Sequence, residues 1–125
     1  MSTQKPVALL SPEKRLELVV QTLSDKKAEA IVVLDLQEIG YLLCDYFVIA
    51  TAESDRQAQA IIDTLLERLK EAEGRQVSYH VEGYEVGRWV LLDIGDIVVH
   101  VLLPEVREYY KLEELWGDAK VRSYA

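Results

Sequence analysis

Residues 88–102, RWVLLDIGDIVVHVL, constrain the fold more than any other stretch. Two apolar runs are separated by a glycine with an aspartate on either side of the turn, which is a hairpin pattern. Successive side chains along a strand point to opposite faces. Placing Ile94 and Gly95 in a two-residue turn pairs Asp93 with Asp96 and sets Trp89 opposite His100. One face then carries Val90, Leu92, Ile97, Val99 and Val101, all aliphatic. The other carries Trp89, Leu91, Asp93, Asp96, Val98, His100 and Leu102. The aliphatic face must lie under helices.

The remaining elements supply that cover. Ser11 followed by Pro12 starts a helix, and Leu16, Val19, Val20 and Leu23 form its apolar stripe. AIVVLDL (30–36) and DYFVIAT (45–51) read as inner strands, being short, apolar and β-branched. Ser54 and Gln57 have the spacing of a capping box. A second helix follows, with a stripe of Ala58, Ile61, Ile62, Leu65, Leu69 and Ala72 that stops at Gly74. QVSYHVEG (76–83) reads as a third strand, and a short helix starts at Pro104. The expected fold is a single α/β domain over residues 11–119, with a mixed sheet of about five strands and helices mainly on one face. Residues 1–10 are expected to be a flexible arm and 120–125 a polar tail.

Charge and cysteine usage exclude several functions. Fourteen basic against twenty-two acidic residues leave a net charge of −8. That disfavours nucleic acid as the main contact and suits a basic protein partner. A single cysteine, Cys44, fits a reducing, cytoplasmic setting, and it reads as a structural thiol. No apolar run is long enough to span a membrane. Cys44, His80 and His100 are too scattered for a metal site. No glycine-rich loop offers a phosphate cradle, and no nucleophile is paired with a base. No catalytic, cofactor or metal residue is therefore assigned.

The mixed hairpin face admits two readings. It is a binding surface anchored by Trp89, or Trp89 is capped by the C-terminal helix and His100 is a satisfied, half-buried histidine.

Three segments carry a family resemblance: DYFVIATAESDRQAQAI (45–61), EGYEVGRWVLLDIGDIVVHV (82–101) and REYYKLEELWGDA (107–119). Together they resemble the ribosomal silencing factor family, also called RsfS or Iojap-like. Trp89, Asp93, Gly95, Asp96, Val99 and His100 carry most of it, followed at the right distance by Arg107, Tyr110, Leu112, Glu113, Leu115 and Trp116. The chain departs from the family at GYLLC (40–44), where small polar residues are usual. The resemblance implies a nucleotidyltransferase-like topology without catalysis. It also implies binding to the large ribosomal subunit through ribosomal protein L-fourteen, which blocks joining of the small subunit and represses translation. Trp89 and Tyr110 match the family's binding surface. Leu103 and Leu115 are expected at the pocket wall, and Asp93, Asp96, Glu105 and Glu113 at an acidic rim, with His100 beside them. Trp116, at helical spacing from Leu112, fits either core or surface. The alternatives are a Mg-nucleotide enzyme on the same scaffold and a homodimer formed through the exposed face when the protein is free.

Overall fold

A computed structural model describes residues 10–39, 44–74, 79–115, 117 and 119–124. The elements run α1 (Pro12–Asp25), β1 (Glu29–Asp35), β2 (Tyr46–Thr51), α2 (Asp55–Glu73), β3 (His80–Glu82), β4 (Trp89–Asp93), β5 (Ile97–Leu102), α3 (Pro104–Tyr110), α4 (Leu112–Leu115) and β6 (Lys120–Tyr124). The six strands form one sheet in the order β3-β4-β5-β2-β1-β6. Only β2 and β5 pair in parallel, so the sheet is mixed.

The sixth strand falls where a polar tail was expected. Lys120–Tyr124 pairs antiparallel with β1 at the sheet edge. All five of its residues are exposed. A strand that buries neither face leaves no hydrophobic alternation to read, and its register comes from β1 alone. The third strand is shorter than expected; residues 76–78 lie outside the described residues, as do 1–9, 40–43 and Trp116. Leu10 is tied down rather than loose, for its amide donates to Glu73 Oε2 at 3.1 Å.

Helix ends follow their caps. Ser11 Oγ accepts from Lys14 N, and Ser54 Oγ accepts from Gln57 N at 3.1 Å. Gln57 returns a bond to Glu53 N at 2.7 Å, one residue before the capping position. Helices α1 and α2 lie on one sheet face. Leu16, Val19 and Leu23 from α1 join Ala58, Ile61, Ile62, Leu65 and Leu69 from α2 over Val90, Leu92, Ile97, Val99 and Val101. The hairpin's aliphatic face is thus the main core. The α2 stripe ends on Glu73, buried, rather than Ala72, which is exposed.

Glu73 belongs to a buried polar cluster. Arg15 Nε and Nη2 donate to its two carboxylate oxygens at 2.7 and 2.9 Å. Tyr79 Oη donates to it at 2.6 Å. Arg15 Nη1 donates to Ile94 O and to Asp96 Oδ1. Burial alone would raise the Glu73 pKa, but the bonds from Arg15 and Tyr79 outweigh it and hold the carboxyl below its ordinary value. The same site pushes the Tyr79 hydroxyl up to about 12, through burial first and the Glu73 bond second. The cluster joins the start of α1, the end of α2 and the β4–β5 turn.

The opposite sheet face is not bare. Leu34, Leu36, Ile49, Leu102 and Leu112 form a second, smaller cluster, with Phe47, Trp89 and Val106 packed at its margin. Helices α3 and α4 cover one end of this face.

Candidate partner-binding surface

The hairpin turn differs by one pair from the sequence expectation. Trp89 lies opposite Leu102, Leu91 opposite His100 and Asp93 opposite Val98. Gly95 and Asp96 make the turn, closed by Ile94 N donating to Ile97 O at 3.0 Å. Gly95 has φ +98°, a value that a β-branched isoleucine at the first turn position rarely adopts. Ile94 is instead buried in the main core. The slip moves the cross-strand sum by two, so the side chains of both strands keep their expected faces, while Asp96, expected on the mixed face, falls in the turn.

Trp89 and His100 are therefore diagonal neighbours. The indole Nε1 donates to His100 Nδ1 at 3.0 Å. Phe47 meets the imidazole edge to face, with centroids 5.2 Å apart. His100 is only 6% exposed, and its Nε2 has no hydrogen-bond partner among the described residues. Burial pushes its pKa down to about 4. It is neutral near pH 7, and the Trp89 bond assigns its proton to Nε2.

The other side of Trp89 faces outward. The Tyr110 ring lies 4.9 Å from it, and Tyr109 meets Tyr110 edge to face at 5.0 Å. Tyr110 is 50% exposed, Tyr109 80%, Leu115 66% and Val86 65%. Val86 sits on a loop between Gly83 and Gly87, both at φ +76°. That loop is clamped to α2: Gln59 donates to Tyr84 O at 2.8 Å, and Tyr84 Oη donates to Asp63 at 2.9 Å. Val86, Arg88, Trp89, Glu105, Tyr109 and Tyr110 line an open hollow. Exposed apolar and aromatic side chains gathered beside a half-buried tryptophan have the anatomy of an interface.

The expected site residues divide accordingly. Trp89 and Tyr110 stand at this surface; Leu115 is exposed on α4 but does not line the hollow. Asp93 is half-buried and its Oδ1 accepts from Gly95 N at 2.8 Å. Asp96 does not join the mixed face, because it is paired with Arg15 on the α1 side of the turn. Glu113 is paired with Arg107 at 3.0 Å rather than free at a rim. Leu103 is 9% exposed and His100 less, so neither offers contact area. Glu105 is the exposed carboxylate that lines this hollow; Glu108, paired with Lys111 at 3.9 Å, and Glu114 lie by Arg107 in a neighbouring hollow. Tyr109 and Val86 were missed.

No catalytic grouping emerges from the described residues. Burial first, then Asp93, raises the Cys44 pKa, the reverse of thiol activation. Among the described residues no group of three or more His, Cys, Asp or Glu is placed to hold a metal. No helix there is long and apolar enough to cross a membrane.

Known proteins resemble the chain over most of its length. The family described as ribosomal silencing factor during starvation matches residues 10–124. A ribosomal silencing factor of Halalkalibacterium halodurans is 44% identical over 88% of this chain and 92% of its own length. A crystal structure of a Chromobacterium violaceum protein, 39% identical, superposes with a TM-score of 0.79 and covers 86% of this chain and 88% of that one. A more distant mouse relative, mitochondrial assembly of ribosomal large subunit protein 1, is 35% identical over 81% of this chain and 44% of its own length.

Proposed function

The chain belongs to the ribosomal silencing factor family, and we propose that it binds the large ribosomal subunit through ribosomal protein L-fourteen and keeps the small subunit from joining. The observation that carries this reading is the pair of half-buried Trp89 and half-exposed Tyr110, 4.9 Å apart, on a chain of net charge −8. An aromatic anchor with Glu105 at its edge, and Glu108 and Glu114 in the neighbouring hollow, suits a basic ribosomal protein. The name of the mouse relative points to the large subunit. The mechanism is steric. A bound domain of 14.3 kDa occupies the subunit-joining surface, so no bond is made or broken.

Incubating the protein with separated subunits and sedimenting each tests the reading. The protein travels with the large subunit alone, and adding small subunits to that complex yields fewer joined ribosomes. Sedimentation with neither subunit, or undiminished joining, overturns it. The same apolar patch favours self-association in the free protein. Sedimentation equilibrium reads this as a dimer that Tyr109→Ser returns to monomer.

A further inference from the structure

The surface just described is carried by a helix with little of its own to hold it. None of the seven residues of α3 is buried. Its N-cap, Leu103, supplies no side-chain bond, and its C-cap, Lys111, has a left-handed φ of 47° without being glycine. A helix this short is not stable alone. Within it Val106 packs at the margin of the second core cluster, and Arg107, with a side chain 12% exposed, makes the polar contacts to the sheet. Its Nη1 donates to Ala30 O at 2.7 Å and Thr51 Oγ1 at 2.9 Å. Its Nε and Nη2 donate to Glu113 Oε2 at 3.2 and 3.0 Å. One guanidinium thus joins α3 to β1, β2 and α4. The Ala30 acceptor lies where the β1–β2 register shifts, in a backbone at φ +48° that alanine rarely adopts.

We propose that Arg107 is the positioning residue of the partner surface: it latches α3 and α4 to the sheet and so sets where Tyr109 and Tyr110 stand relative to Trp89. This rests on the binding reading above. The planar fork serves three separate acceptors at once, and the point charge of lysine cannot. Arg107 itself faces inward and touches no partner. Loosening the latch leaves every contact residue present but misplaced.

Arg107→Lys and Arg107→Gln test this by two routes. The first needs no ribosome. The Trp89 indole N–H proton resonance, set by His100 and the Tyr110 ring, moves in both variants and moves likewise in Glu113→Ala. An unmoved resonance overturns the latch. The second is large-subunit affinity, corrected for the folded fraction, which falls on the order of tenfold in Arg107→Lys. Combined with Tyr110→Ala, the Arg107→Lys loss shrinks, because the residue it positions is gone. Fully additive losses, or parental affinity in Arg107→Lys, overturn the proposal. A parent that binds no large subunit removes the binding reading instead, and the indole resonance alone then decides the latch.

Discussion

The indole nitrogen of Trp89 reaches diagonally across the β4–β5 hairpin to His100 Nδ1, 3.0 Å away, and so joins an exposed surface to a buried imidazole. Stability should respond to pH through this pair. The folded pKa of His100 is about 4, below the ordinary 6.5. The unfolded chain therefore binds more protons between these values, and stability falls as pH drops through that window. The full contribution is present above pH 6.5 and amounts to at most about 3 kcal/mol. Thermal midpoints from pH 8 to 5 should decline in the parent. His100→Gln should flatten the decline between pH 6.5 and 5. An identical slope in the variant would place the titrating group elsewhere.

Arg15 and Glu73 make a bidentate pair with side chains 5% and 0% exposed. Removing one partner leaves the other charge buried, at a cost of about 3–5 kcal/mol. Arg15→Leu should shift the urea midpoint strongly downward. The double variant Arg15→Leu with Glu73→Leu should recover part of that loss, since no buried charge remains. Losses that simply add would mean the pair is not coupled.

Ser54→Ala removes the bond to Gln57 N at the start of α2. The expected cost is about 1 kcal/mol in chemical denaturation. Large-subunit binding should survive, because Ser54 caps a helix and lies outside the aromatic hollow. A folded variant that no longer binds would put this helix end at the interface.

These residues also mark where the sequence was legible. Alternation along 88–102 assigned the side chains of both hairpin strands to their faces, because burial of one face leaves a period-two signal; it failed at Asp96, which lies in the turn. The register was not legible, because it depends on the φ of Gly95. Asp96 and Glu113 read as free carboxylates, because their partners, Arg15 and Arg107, sit on other elements. An arginine in a helical stripe looks like surface until a buried glutamate 58 residues away meets it. Strand β6 was invisible because it buries nothing. The Trp89–Tyr110 pairing came from the family resemblance; its exposure came only with the packing.

If Glu105, Glu108 and Glu114 steer the chain toward a basic partner, association should slow as salt rises. Stopped-flow mixing with large subunits at low and physiological ionic strength reads the on-rate. Neutralising all three with glutamine should remove most of the salt dependence. A parent on-rate that is flat with salt would end the steering idea while leaving binding intact.

Trp89 and Tyr110 should separate on truncation, although their rings touch. Trp89 packs on the second core cluster and satisfies a buried nitrogen of His100. Trp89→Phe retains most of the ring but leaves that nitrogen unpaired, costing about 1–3 kcal/mol of stability. Trp89→Ala should cost more, since it also opens a gap beside Leu102. Tyr110 is 50% exposed, so Tyr110→Ala should leave the thermal midpoint nearly unchanged. If it is an interface anchor, large-subunit affinity should fall by roughly 2 kcal/mol, close to thirtyfold. Measuring the midpoint and the affinity of all three variants distinguishes the roles. Tyr110→Ala should lose affinity alone, Trp89→Phe mainly stability, and Trp89→Ala both. Parental affinity in a folded Tyr110→Ala would remove the aromatic surface from the interface.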